Sequence, residues 1–118
     1  MRVPSHPTQI RRMLESRLKQ MVPVGPVLAA TLTRVNKRCG QPSCRCHHAG
    51  PLHQAYHLAF RHGGKTHNVY VPQDLLAEVQ QWVQEHRRLK TLIHEVSQLT
   101  LALIRGHVQD RRRQKGRR

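Results

Sequence analysis

The sequence predicts an α+β domain in which an N-terminal helix, a small antiparallel sheet and a long C-terminal amphipathic helix follow one another. Apolar residues recur with a helical period near the N-terminus and again over residues 73–105. Between these two segments, β-branched and alternating stretches are separated by a pair of glycines, as in a hairpin. All three cysteines of the chain fall within residues 39–46, inside the predicted sheet region.

The first helix is expected over residues 8–22, after a flexible lead-in at residues 1–7. Its apolar positions follow the helical period. They are Ile10, Met13, Leu14, Leu18 and Met21. Thr8 is the candidate N-cap, with Ser5 as the alternative, and Pro23 ends the helix.

The sheet is expected within residues 26–71. Residues 27–35 are rich in β-branched side chains and predict its first strand. Residues 55–61 and 66–71 alternate apolar and polar side chains and predict the two arms of a hairpin. The Gly63-Gly64 pair between them can adopt the positive φ angles that a tight hairpin turn requires.

The long helix is expected over residues 73–105, starting after Pro72 and ending at Gly106. Its apolar residues are spaced 4-3-4-3, which is a heptad seam. The seam comprises Leu75, Val79, Trp82, His86, Leu89, Ile93, Val96, Thr100 and Leu103, widened on one side by Leu76, Val83, Leu92 and Leu99. The helix can pack on the first helix and the sheet, or its distal half can pair with a second copy of the chain, and the two packings are compatible. A single domain would thus span residues 8–106, followed by a disordered basic tail at 107–118.

The cysteines and a following histidine have the spacing of a metal site. Cys39, Cys44, Cys46 and His53 read C-x4-C-x-C-x6-H, which supplies the four soft ligands of a tetrahedral zinc. His47 is the alternative fourth ligand. A disulfide would leave one thiol over, and the C-x-x-C of a redox site is absent. A zinc knuckle that staples the sheet is therefore predicted.

The N-terminal residues indicate the cellular compartment in which we expect the protein. Residues 1–20 are charged and lack the apolar run of a secretory signal. We therefore expect a cytoplasmic, reducing environment, where clustered thiols bind metal more often than they form disulfides.

The charge of the chain points to a polyanionic partner. Lys and Arg number 21 against six acidic residues, for a net charge of +15, and five of the six acids lie at or beyond position 74. Nucleic acid is the expected partner, because phosphates bound by Lys and Arg release condensed counterions. The candidate contacts are Lys37, Arg38 and Arg45 on the metal loop, Arg61 and Lys65 at the hairpin tip, Arg87, Arg88 and Lys90 on the long helix, and Arg111, Arg112, Arg113 and Lys115 in the tail.

Composition also separates the classes of partner. Ten histidines and an arginine-rich tail favour a structured RNA slightly over DNA. Sparse aromatic residues argue against a platform on which single strands stack. No segment has the length of a membrane span, and the tail lacks apolar anchors, so no membrane partner is expected.

Catalysis is not expected. The first 73 residues contain a single carboxylate, Glu15, for acid–base chemistry, and the His-x-Glu element of zinc deaminases is absent. Four protein ligands would also leave the zinc no open position. The Gly63-Gly64-Lys65-Thr66 run lacks the upstream glycine of a phosphate-binding loop.

Several runs of residues resemble a known family. They are Arg38-Cys39-Gly40-Gln41-Pro42-Ser43-Cys44-Arg45-Cys46, His53 with Tyr56, Gly64-Lys65-Thr66, Tyr70-Val71-Pro72, Trp82-Val83 and Arg87-Arg88-Leu89-Lys90. Over about residues 26–105 the chain resembles a family of small bacterial proteins that are classed as a domain of unknown function and often found near mobile-element genes. Its members tend to read His-Gly-Pro-Tyr at His53-Gln54-Ala55-Tyr56, and tend to carry Arg at the position of His67.

The resemblance implies a zinc-stapled hairpin followed by a long helix, and it implies no reaction. We therefore expect a non-catalytic small subunit of a ribonucleoprotein or mobile-element complex. The alternatives are a DNA-binding accessory or regulatory protein of a transposable element, and a module that binds a protein partner or dimerises through the 73–105 helix.

Overall fold

The computed structural model describes residues 1–116 and has the predicted fold class: an N-terminal helix, a three-stranded antiparallel sheet and a long C-terminal helix. The main elements in chain order are α1 (Pro7–Gln20), β1 (Thr31–Lys37), β2 (His53–His62), β3 (Lys65–Val71) and α2 (Leu76–Gly116). Short 3₁₀ helices lie at Arg45–His47 and Gln73–Leu75.

These elements belong to two compact units. One unit is the contiguous segment Gly25–His86, and the other combines Met1–Val24 with the chain from Arg87 onward. Helix α2 contributes its first residues to the contiguous unit and the remainder to the other. The sequence predicted one domain across residues 8–106, without this division.

The sheet has the strand order β1-β2-β3, and both pairings are antiparallel. Lys37 pairs with His53 at one end of the β1–β2 ladder, and His62 pairs with Lys65 beside the hairpin turn. Gly63 and Gly64 form that turn with φ angles of 60° and 76°. Two successive positive φ angles are typical of the hairpin turns that match the twist of the flanking strands. The predicted hairpin is therefore confirmed.

One face of the sheet packs on the beginning of α2. Leu58 and Val71 from the sheet form a buried cluster with Val79 and Val83 from the helix. Partly buried side chains surround this cluster, namely Leu28, Ala30, Leu32, Tyr56, Leu76 and Trp82. Burial of such aliphatic side chains stabilises a fold by about 1.5–3 kcal/mol each.

The first strand begins later than expected. Residues 27–35 were predicted as a strand, but β1 spans Thr31–Lys37. The physical reason is that the Leu28 N–H donates to the Trp82 carbonyl, at 3.1 Å, so the segment before β1 bonds to α2. Leu28 and Ala30 from this segment pack against the core cluster shared with the helix.

In the other unit, α1 runs antiparallel to the distal part of α2. Arg17 Nε donates to Glu95 Oε2 at 2.6 Å, and the Arg88 guanidinium donates to the carbonyls of Gln20 and Val22 at 2.7 and 3.0 Å. Arg88 thus satisfies the carbonyl of Gln20, the last residue of α1, which has no partner within that helix, and the carbonyl of Val22 just beyond it. The buried side chains among the described residues of this unit are Ile10, Leu92 and Leu99.

The start of α1 corrects a second prediction. Neither Thr8 nor Ser5 caps the helix, because it begins at Pro7 and its N-cap is His6. The His6 Nδ1 accepts a hydrogen bond from the Thr8 N–H at 3.2 Å. Pro7 at the first helical position sets this boundary, since its fixed φ is already helical and it has no N–H to satisfy.

The buried stripe of α2 is shifted from the predicted seam. Val79 is buried, but Ile93 is 56% exposed and Thr100 is exposed. Val83, Leu92 and Leu99, which the seam placed at its side, are buried. A coiled-coil seam would centre on the heptad positions, whereas a helix packed within a globular unit buries a wider stripe.

The end of α2 also differs from the prediction. The helix continues through Gly106 to Gly116, so both the stop at Gly106 and the disorder expected for residues 107–116 are wrong, and residues 117–118 lie outside the described part. A glycine that ends a helix usually adopts a positive φ. In residues 1–116 the glycines with positive φ are Gly63 and Gly64, so Gly106 is a helix-interior residue.

Gly106→Ala is expected to raise the free energy of unfolding by about 1 kcal/mol. A Cβ atom at this position would meet no atom within 4 Å, and alanine loses less backbone entropy than glycine on entering a helix. Denaturant unfolding followed by circular dichroism measures the change. Gly64→Ala is the control and should destabilise, because its φ is positive. A fall in stability for Gly106→Ala would contradict the helical assignment.

Candidate metal centre

The loop between β1 and β2 brings the cysteines back to the sheet. Because Lys37 pairs with His53, the loop leaves and re-enters the sheet at adjacent positions. Cys39 follows the end of β1 by two residues, and His53 is the first residue of β2. The 3₁₀ helix Arg45–His47 turns Cys46 inward, where its side chain is buried.

Four potential ligands converge in this loop. The ligand atoms of Cys39, Cys44, Cys46 and His53 all lie within 4.8 Å of one another. Cys44 Sγ is 3.2 Å from His53 Nε2, and Cys46 Sγ is 3.5 Å from Cys39 Sγ. Zn–S bonds of about 2.3 Å in a tetrahedron separate two sulfurs by about 3.8 Å, so this donor set fits one metal ion. The three cysteines and the histidine therefore form a site consistent with metal binding.

The structure distinguishes the two candidate histidines. His53 lies in the cluster, whereas His47 Nε2 lies 2.7 Å from the backbone carbonyl oxygen of Cys39. That distance is a hydrogen bond in which the imidazole donates. His47 thus ties the beginning of the loop to the 3₁₀ helix, and His53 is the histidine that lies with the three cysteines.

The thiols differ in acidity. The pKa of Cys44 is lowered to about 6, first by a hydrogen bond from the backbone of Cys46 and then by the His53 side chain. Burial raises the pKa of Cys46. The Cys39 N–H donates to the Cys46 sulfur at 3.3 Å, which opposes that effect by stabilising the thiolate. Since the thiolate is the form that binds metal, Cys44 is ready to coordinate at neutral pH before the buried thiol is.

Gly50 is a site residue that the sequence analysis missed. Its N–H donates to the Arg45 carbonyl at 2.9 Å and closes the loop behind the 3₁₀ helix. A Cβ atom at position 50 would lie 2.5 Å from Arg45 Cβ and 3.0 Å from the Arg45 carbonyl carbon and oxygen. The loop therefore closes only around a glycine. The Gly50-Pro51 dipeptide, a common turn signal, is the sequence feature that could have identified it.

The predicted nucleic-acid contacts fall into two groups. The contiguous unit contains Lys37, Arg38, Arg45, Arg61 and Lys65, all exposed. Arg61 donates to the Gly64 carbonyl at 3.1 Å and so lies on the hairpin turn. The other unit contains Arg87, Arg88, Lys90, Arg111, Arg112, Arg113 and Lys115. All of these are exposed except the partly buried Arg88, whose guanidinium holds the end of α1.

Among the described residues, no helix is both long enough and apolar enough to pass through a membrane.

The chain was compared with models of protein families. A family model described as a domain of unknown function, DUF6788, matches residues 8–81. The matched segment contains α1 from its second residue onward, the sheet, the beginning of α2 and all four clustered side chains. No curated protein and no solved structure matches the chain.

Proposed function

The chain belongs to the DUF6788 family, a domain of unknown function, and we propose that it is a non-catalytic zinc protein that binds nucleic acid. The observation that carries this proposal is a set of exposed cations around the cysteine loop and the hairpin tip, in a chain of net charge +15. Structured RNA is the favoured ligand. The role that follows is a small subunit of a ribonucleoprotein or mobile-element complex.

The donor set favours zinc. Three thiolates and one imidazole in a compact cluster are typical ligands of structural zinc, and the pKa of Cys44 keeps its thiolate available. Cys39, Cys44, Cys46 and His53 would hold the ion and fix the loop to the end of the β1–β2 ladder. Four protein ligands would fill a tetrahedral coordination sphere, which supports a structural ion rather than a catalytic one.

The charges near this loop lack acidic neighbours in the sequence. Residues 26–71, which contain the loop and all three strands, include no Asp or Glu. Of the six acids, Glu15 lies 3.9 Å from Lys19 and Glu95 lies 2.6 Å from Arg17. The cations around the loop therefore lie in a segment that contains no acidic side chains. A positively charged surface of this kind is suited to binding phosphate groups.

Structured RNA is favoured over DNA by the histidine and arginine content, because proteins read folded RNA through its shape and phosphates. The exposed run Arg111, Arg112 and Arg113 lies on the helical end of α2 and adds charge for such a ligand. A DNA-binding accessory or regulatory protein of a transposable element is the alternative. Both ligands share the phosphate chemistry, so a direct comparison of RNA and DNA decides between them.

Binding to nucleic acid is expected to weaken steeply with salt. If the five predicted contacts of the contiguous unit each neutralise one phosphate, log Kobs should fall with log[salt] at a slope of about −4.5 for a duplex. Fluorescence anisotropy with structured RNA, duplex DNA and single strands across a salt series measures this slope.

Two variants test the assignment of the cations. Arg45→Ala should reduce the slope by about 1 for every ligand that binds. Arg12→Ala removes an exposed cation of α1 outside the predicted set and should leave the slope unchanged. A slope near zero for the unmodified protein would reject phosphate binding.

A second candidate function is association through α2. The part of this helix from Arg87 onward exposes four large apolar side chains, and they are Ile93, Leu101, Ile104 and Val108. Exposed apolar side chains of this number on one helix are a feature of protein-binding surfaces. A dimer in sedimentation experiments that persists at high salt and is lost in Ile104→Asp would support this function.

A further inference from the structure

We infer that the solvent-facing side of the sheet binds unpaired nucleotides of RNA, with one base stacked on Tyr70. This inference rests on the proposed function and adds the surface and the structural class of RNA that it takes. It revises the expectation, drawn from the scarcity of aromatic residues, that the chain offers no stacking platform. The reason for the revision is the position of Tyr70, one of those few aromatic residues, on the sheet.

The sheet has two faces with different roles. Leu58 and Val71 lie on the face that packs on α2. Because side chains alternate along a strand, the neighbouring positions lie on the opposite face. The register aligns Thr33, His57 and Tyr70 side by side across the three strands on that opposite face.

Tyr70 is placed as a platform. Its side chain is 56% exposed, although most aromatic rings in folded proteins are largely covered. The edge-to-face contact with His57, with ring centroids 6.0 Å apart, orients the tyrosine ring. Lys37 Nζ lies 5.7 Å from the ring centroid. An aromatic ring beside a cation matches a nucleotide, because the base stacks on the ring while the ammonium contacts a phosphate.

A depression next to this platform supplies hydrogen-bonding groups. It has a volume of about 390 Å³ and is lined by Thr33, Val35, His57 and Asn68. The hydroxyl, imidazole and amide groups can each donate and accept hydrogen bonds, as the Watson–Crick edge of an unpaired base requires. Since His57 both lines the depression and contacts Tyr70, the stacking surface and the polar groups adjoin each other.

The charges on this face of the sheet favour unpaired RNA nucleotides as its ligand. The charged residues of the strands on this face, Lys37 and Arg61, are both basic, and residues 26–71 contain no acid. A base-paired duplex presents phosphates but not free base faces. Loops and single-stranded segments present both, and their unpaired bases are what exposed aromatic residues of sheets bind. Unpaired RNA nucleotides therefore fit the aromatic, polar and cationic groups together.

The test compares an RNA hairpin that has an unpaired loop with a blunt duplex of the same stem, by anisotropy at one salt concentration. The unmodified protein should bind the hairpin more tightly. Tyr70→Ala should weaken hairpin binding by roughly 5- to 150-fold, the range expected for loss of one stacked base, and leave duplex binding unchanged. Tyr70→Phe should retain the preference. The salt slope should not change in Tyr70→Ala, because stacking releases no counterions.

Val69→Ala is the matched control, since Val69 is 48% exposed and neighbours Tyr70 on the same strand but on the other face. Circular dichroism and zinc content show whether each variant folds. Photocrosslinking of the unmodified protein to a loop that carries 5-iodouridine avoids any dependence on a variant. A crosslink to Tyr70 supports the inference, and crosslinks confined to other regions overturn it.

The remaining outcomes distinguish failure of this inference from failure of the proposed function. Equal hairpin affinity of Tyr70→Ala and the unmodified protein would overturn this inference, while a steep salt slope would still support the proposed function. A salt slope near zero would remove the proposed function itself. Equal binding of the matched DNA hairpin would overturn the assignment to RNA.

Discussion

Cys46→Ser is expected to release zinc and to unfold the loop between β1 and β2. Cys46 is 2% exposed, its sulfur accepts from the Cys39 N–H, and it lies 3.5 Å from Cys39 Sγ. A serine hydroxyl at this buried position is a poor zinc ligand. In zinc-dependent domains the binding free energy of the metal, about 10–16 kcal/mol in zinc-finger peptides, is folding free energy. We therefore expect a loss of several kcal/mol in the contiguous unit.

Zinc quantification after dialysis and thermal unfolding with and without a chelator measure this effect. Two histidine variants provide a matched comparison. His53→Gln should lose the metal, whereas His47→Gln should retain it, because His47 bonds to the Cys39 carbonyl and lies outside the cluster. A purified protein that contains no zinc and is as stable with a chelator as without it would reject the metal centre.

Gly50→Ala is expected to lower zinc affinity by about 10- to 100-fold, the range found when residues that support metal ligands are replaced. The new methyl group would lie 2.5 Å from Arg45 Cβ and 3.0 Å from the Arg45 backbone. Backbone atoms must then shift, and Arg45 directly precedes the buried Cys46 of the cluster. Competition with a chromophoric chelator measures the affinity.

Gly40→Ala is the control for this substitution. Gly40 lies in the same loop beside Cys39, but a Cβ atom there would meet nothing within 4 Å, and its φ is not positive. It should bind zinc as the unmodified protein does. Equal zinc affinity in the two variants would show that the close approach of Gly50 to Arg45 does not support the ligands.

Local patterns in the sequence predict most of the fold. The hairpin follows from alternation on either side of Gly63-Gly64, and both helices follow from their apolar periods. The errors arise where contacts with residues distant in the sequence determine the local structure. Leu28 bonds to Trp82 instead of extending β1, and Gly106 continues a helix that its propensity would interrupt.

The candidate metal centre is the most predictable part of the site, because its ligands lie close together in the sequence. The cluster contains the predicted cysteines and His53. The roles of Gly50, Arg88 and Tyr70 depend on contacts across a loop, a helix pair and two strands. The Gly50-Pro51 dipeptide signals a turn but not its contact with Arg45, and the contacts of Arg88 and Tyr70 have no signature in the spacing of a single sequence.

The division into a contiguous and a split unit has a consequence for the order in which a ribosome completes them. Once His86 has left the exit tunnel, the whole segment Gly25–His86 is available to fold, because its core contains no later residue. Helix α1 emerges before this segment, yet Glu95, the partner of its Arg17, is made only after it. A 14-residue helix is marginal in water by itself. Helix α1 is therefore synthesised before the contiguous unit but becomes stably folded after it.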